Sequence, residues 1–215
     1  SLTIDGHAIE ARLYAEDPTK NFLPSPGTIQ VWKPSSQARF DSGVEAGSEV
    51  SVNFDPMIAK VIAHAPTRRE AAAKLARALE TTQLHGITNN RDFLVATLRT
   101  PAFIAGDTTT DFIERVNPTR TREPSPTEVS DAAIAATLFA QDRRRKSAKV
   151  LRHISTGWRN SLMPPERVQY AVGDNECAIE YRAQRDGTFV MNVDGEKHQV
   201  GLHGVTGNQI DLAID

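Results

Sequence analysis

The chain has 215 residues, enough for one large domain or two ordinary ones, and 39% hydrophobic with 24% charged residues is an ordinary globular composition. A formal net charge of −2 offers no footing for nucleic-acid binding, and no apolar run approaches the ~20 residues of a membrane span. No positive-then-apolar leader opens the chain, and its single cysteine, Cys177, cannot form an intrachain disulfide, so a reducing cytoplasm is the expected home. Ser1–Gly6 lacks an initiator Met, and Leu2 and Ile4 already alternate as in a strand; a fragment is expected.

From His7 to Tyr14 apolar and polar residues alternate, which predicts a half-buried strand with Glu10 and Arg12 sharing the solvent face. Glu16 to Gly27 holds three prolines and is expected to be a loop, and Thr28–Trp32 reads as a strand. In Ser35–Val44, Arg39 and Asp41 stand two apart, so extended chain puts both on one face. Taken alone they are a surface ion pair worth about 0–1 kcal/mol. Val50–Phe54 alternates again, and Met57–Ala63 is a short apolar run suited to the interior of a sheet. Lys60 interrupts that run and reads as structural, its stem along apolar surface and its ammonium in water.

Thr67-Arg-Arg-Glu70 is a capping box, and Ala72, Leu75, Ala76 and Leu79 give the following helix an apolar stripe that Gly86 is placed to end. Asn89 or Asn90 is expected to cap a helix to about Leu98, Pro101 to begin a short one, and Gly106–Glu114 to form a turn, a threonine cap and a final helix. Asn117–Thr127, with three prolines and four serines or threonines, reads as linker. A second capping box, Ser125 with Glu128, opens an apolar helix closing in Arg143-Arg-Arg-Lys146, whose cations suit a helix C-terminus. Beyond it come strand signals at Val168–Val172, Cys177–Ala183, Thr188–Val193, His198–Leu202 and Gln209–Ile214. Gly173-Asp, Asp186-Gly, Asp194-Gly and Gly207-Asn separate them.

Read together, His7-Ala-Ile-Glu-Ala-Arg-Leu-Tyr-Ala-Glu-Asp-Pro18, Phe22–Ile29, Arg39-Phe-Asp-Ser-Gly43 and Phe54-Asp-Pro-Met-Ile-Ala-Lys60 form an ordered series. Over about residues 5–117 it resembles the C-terminal domain of biotin carboxylase, the ATP-dependent component of biotin-containing carboxylases. The resemblance implies that Arg39 lies beside the ureido ring of biotin and holds the enolate that precedes carboxylation. An arginine suits that task, because its fork stays charged and cannot surrender a proton to a nearby base. The resemblance also places Thr110 and Asp111 near the adenine of ATP, although plain helix capping accounts for them equally. A helix followed by a meander and introduced by Gly157-Trp-Arg-Asn160 resembles the interdomain segment of propionyl- or methylcrotonyl-type acyl-CoA carboxylase alpha subunits, enzymes of fatty acid metabolism.

These readings imply an α+β chain with a biotin carboxylase C-terminal domain at 1–117, a linker at 118–124 and a helix plus partial barrel at 125–215. If the chain is truncated at Asp215, the exposed edge carrying Ile210, Leu212 and Ile214 is expected to self-associate or to be partly disordered. The implied cofactors are biotin, ATP and Mg; the implied partners are bicarbonate, the biotin carboxyl carrier domain and the carboxyltransferase beta subunit, with no nucleic acid and no membrane. The Gly-rich ATP-grasp lid, a Glu-x-Asn-x-Arg constellation and a Met-Lys-Met biotinylation site do not occur here, so the isolated chain is expected to be inactive. No two histidines are spaced as metal ligands, and Ser42 has no histidine base nearby in sequence. A purely structural module, or the equivalent part of a pyruvate or urea carboxylase, is the alternative, and the acyl-CoA is not legible from these residues.

Overall fold

The computed structural model describes residues 3, 5–150, 164–172 and 175–215. Gly157–Asn160 and the Gly173-Asp turn lie outside the described residues. Two compact units divide the chain at Glu123 and Pro124.

The first unit contains strands β1 (His7–Tyr14), β2 (Glu16–Asp17), β3 (Leu23–Pro24), β4 (Gly27–Thr28), β5 (Val31–Lys33), β6 (Arg39–Ser42), β7 (Glu49–Val50) and β8 (Met57–Ala65). Helix α1 (Arg68–Thr81), strand β9 (Gln83–His85) and helices α2 (Arg91–Arg99), α3 (Pro101–Ala105) and α4 (Phe112–Val116) follow. Its central sheet is antiparallel in the order β1-β8-β6, with Leu13 opposite Ala59, and Asp41 opposite Lys60. The alternation read from His7 to Tyr14 is realised: Ile9, Ala11 and Leu13 point into the core with Ala59, Val61 and Ala63 of β8. The α1 stripe of Ala72, Leu75, Ala76 and Leu79 joins the same core, and both halves of the Thr67–Glu70 capping box are formed.

Several local expectations give way to tertiary pairing. Thr28–Trp32 is not one strand; β4 pairs with β7 and β5 with β9, and the fully buried Ile29 marks the change of partner. Strand also stops at Val50. Ser51 accepts from the Asn53 amide and Asp55 from the Met57 amide, and such side-chain bonds compete with a ladder. The expected loop at 16–27 folds into a small β2–β3 hairpin around a single 3-10 turn at Pro18–Lys20. Gly86 does not cap α1, which ends at Thr81 before β9.

Asn90 is the N-cap of α2, but its side chain makes no capping bond. Instead it accepts from the Tyr14 amide at 2.9 Å and donates to the Arg12 carbonyl at 3.2 Å, tying the helix start to β1. Asn89 accepts from the Arg91 amide. The threonine cap expected before α4 is also absent: Asp111 is the N-cap residue and makes no side-chain capping bond.

The second unit opens with α5 (Pro126–Ser147), whose Ser125–Glu128 capping box is complete. Strands β10 (Glu166–Val172), β11 (Asn175–Ala183), β12 (Phe189–Val193), β13 (Glu196–Thr206) and β14 (Gln209–Ile214) form an antiparallel meander in sequence order. It curls as a half-barrel over Ala133, Ile134 and Leu138 of α5, burying Cys177, Ile179, Tyr181, Met191 and Val200. Strand β13 runs further than His198–Leu202, with its register shifted between Leu202 and Gly204. The whole is the α+β fold expected.

Candidate functional site

The candidate site is the face of the β1-β8-β6 sheet opposite its core. Strand β6 is held by Phe40, which packs into the first unit's core and sits edge-on to Trp32 at 6.1 Å. Side chains alternate along a strand, so anchoring Phe40 inward sends Arg39 and Asp41 outward together. There the Arg39 Nε donates to Asp41 Oδ1 and its Nη2 to Asp41 Oδ2, each at 2.9 Å. The side chains stay 71% and 42% exposed, so the pair is a solvated one that contributes little to folding. Asp41 raises the pKa of the guanidinium further above its ordinary value, and Arg39 is a fixed cation.

Register sets out the rest of the face. Glu10, Ile62 and Arg39 form one cross-strand row, and Arg12, Lys60 and Asp41 form the next. Arg12 bonds Glu10 at 3.3 Å along β1. Lys60 is half-buried between Arg12 and Asp41, and among the described residues it makes no hydrogen bond or ion pair. Two cations directly opposed across strands cost stability, of order 0.2–1 kcal/mol. Glu10 and Asp41, interleaved with them, offset that cost. The result is a surface of three cations and two carboxylates, suited to an anionic ligand. Among the described residues no group of three or more His, Cys, Asp or Glu could hold a metal ion.

Thr110 and Asp111 sit on the exposed turn before α4. The Thr109 hydroxyl donates to Asp111, which is also ion-paired with Arg115 at 3.7 Å; the Thr109 bond above all holds the Asp111 carboxyl below its usual range, with a backbone hydrogen bond and the Arg115 charge adding to it. The bonded partners of Asp111 belong to this turn and to α4, so no bond among the described residues draws it into the Arg39 constellation. Phe112 alone turns inward, edge-on to Phe103 at 6.2 Å. Elsewhere, the Ser42 hydroxyl is taken up by Val44, and His198 lies 3.5 Å from Ser130. The gathering of Lys60 and Arg12 beside Asp41 escaped the sequence reading. Its linear traces are the alternation of β1 and β6 and the single cation, Lys60, that interrupts the apolar run of β8.

Residues 10–115 match the biotin carboxylase C-terminal domain family. Methylcrotonoyl-CoA carboxylase subunit alpha of Mus musculus is 32% identical over 213 residues, covering 93% of this chain and 29% of its own length. The propionyl-CoA carboxylase alpha chain of Ruegeria pomeroyi is 32% identical over 246 residues, covering 100% and 35%. Biotin carboxylase 2 of Bacillus subtilis is 46% identical over 113 residues, which is 52% of this chain and 25% of that protein. The chain thus spans about a third or less of these relatives. Among solved structures, the biotin carboxylase domain of 2-oxoglutarate carboxylase from Hydrogenobacter thermophilus, with MgADP, ADP and bicarbonate, aligns at a TM-score of 0.55 and 30% identity. That alignment covers 57% of this chain and 28% of that one.

Proposed function

Residues 10–115 of this chain belong to the biotin carboxylase C-terminal domain family, and from that premise we propose that the chain is a portion of an acyl-CoA carboxylase alpha subunit. In this reading it joins the end of the biotin carboxylase component to the segment that follows it. The observation that carries the acyl-CoA type is the extent of similarity. The methylcrotonoyl- and propionyl-CoA carboxylase subunits align through both units, whereas the free-standing biotin carboxylase aligns with 52% of the chain.

Arg39 is the catalytic residue of this portion. It donates to the ureido oxygen of biotin as negative charge develops there, and a preorganised donor of that kind is worth ~2.7–4 kcal/mol of barrier. ATP, Mg and bicarbonate are held by other parts of the parent chain, with Thr110 and Asp111 beside the adenine. The second unit docks the carboxyltransferase beta subunit, and the biotin arrives on the carboxyl carrier domain. The portion alone is inactive, because one guanidinium cannot assemble the site. A reducing cytoplasm agrees with a free, buried Cys177.

The test is Arg39→Ala in the full-length parent. Carboxylation of free biotin is expected to fall about 10²–10³-fold. Bicarbonate-dependent ATP cleavage measured without biotin should fall much less, and Arg39→Lys should restore only part of the rate, a point charge having replaced the fork. Equal loss of both activities, or of neither, would sink the assignment.

A further inference from the structure

The geometry points to Asp41 as a positioning residue that aims the Arg39 guanidinium, an inference that rests on the reading of Arg39 given above. Arginine is a long side chain, and on an exposed strand nothing apolar clamps it. Among the described residues every side-chain polar contact of Arg39 goes to Asp41, and every one of the Asp41 carboxylate to Arg39. Two parallel bonds of 2.9 Å hold the plane of the guanidinium as well as its place.

The edge that Asp41 takes is the side-on one, Nε with one hydrogen of Nη2. The end-on edge, where Nη1 and Nη2 present two parallel N–H groups, is left to a ligand. That is the fork that matches an oxyanion. With the side-on edge held by Asp41, the guanidinium has one two-donor edge left, and its direction is fixed by the pair.

A carboxylate so close would also cancel much of the arginine's charge if it stood alone. It does not. Lys60 lies directly across the ladder from Asp41 and, among the described residues, forms no ion pair, and Arg12 stands beyond it. Asp41 therefore orients Arg39 while the face keeps three cations against two carboxylates. The same register explains why like charges are tolerated opposite one another on β1 and β8.

The experiment compares four variants of the full-length parent, with free biotin as the probe. Asp41→Asn keeps the shape and removes the charge that accepts both bonds. It is expected to slow biotin carboxylation about 10–10²-fold, the scale of a reacting group misplaced by an ångström, with ATP cleavage in the absence of biotin and the thermal midpoint unchanged. Asp41→Glu should recover part of the rate. The double variant Arg39→Ala/Asp41→Asn should be no slower than Arg39→Ala, because Asp41 acts only through Arg39. Normal carboxylation by Asp41→Asn alongside a slow Arg39→Ala would overturn the inference and leave the role of Arg39 standing. A double variant slowed by the product of the two single losses would overturn it too. Normal carboxylation by Arg39→Ala would instead remove the reading beneath it.

Discussion

Tyr181 is nearly absent from the surface, yet it carries a polar hydroxyl into the half-barrel. Its ring lies 6.5 Å from that of Phe189, its hydroxyl donates to Glu166, and Arg144 Nη2 donates to it at 3.4 Å. Burial first, and the Glu166 bond second, push its pKa up to about 12. An acid whose folded pKa is raised keeps its proton in the native state while the unfolded chain gives it up. The stabilisation is thus complete below the unfolded value and is lost as pH rises through the folded one. Unfolding by denaturant is expected to become easier as pH climbs from about 10 towards 12. Tyr181→Phe should flatten much of that slope, and in an absorbance titration one of the three tyrosines should ionise last, near pH 12. Burial raises the Cys177 thiol as well, so a smaller slope of the same sign should persist in the variant at lower pH. A stability profile unaltered by Tyr181→Phe would contradict this account.

Strand β9 joins the first unit's body through a close backbone approach. Gly86 sits at φ +109, and a Cβ there would stand 2.3 Å from the Thr28 carbonyl oxygen and 2.8 Å from the Gln30 amide nitrogen. Both obstacles are backbone, held by the Gln30 N–H to His85 carbonyl bond and by the β4–β7 ladder, so neither can swing aside. Gly86→Ala is expected to cost about 1–3 kcal/mol from its backbone conformation alone, with the clash added to that. It should lower the denaturant midpoint while leaving the slope of the transition unchanged. A neutral Gly86→Ala would show that β9 can pull away from Thr28–Gln30 at no cost.

The described residues form two separate apolar cores, one beneath the β1-β8-β6 sheet and one around α5, with no described residue common to both. Two foldable units joined through the proline-containing stretch before Ser125 are our proposal from that division. Trypsin under native conditions should cut early at Arg122–Glu123, giving products that each keep one core intact. First cleavage at Lys60 or Arg77, inside β8 or α1, would count against it. No helix among the described residues is long and apolar enough to cross a membrane.

Most features that depend on neighbours a few positions away were determined by the amino-acid sequence alone, the strand end at Val50 and the uncapped start of α4 being the local exceptions. Both capping boxes, the inward set Ile9, Ala11 and Leu13, the outward pair Arg39 and Asp41, and the five-strand meander follow from spacings of two, three and four residues. The family was equally legible, because its motifs are contiguous words read in order. What depends on residues far apart in the chain was not legible. Ile29 changes strand partner because β7 and β9 lie to either side of it, and Val52 and Phe54 are left outside because the ladder ends at Val50. Asn90 spends its amide on a strand 76–78 residues away instead of on its own helix. Gly86 is required by the backbone of Thr28, which no local pattern names. The charged face is the same case: Arg12, Lys60 and Asp41 come into one row only through the register of three antiparallel strands. Alternation tells each side chain which way to face, and only the tertiary pairing decides what it faces beside.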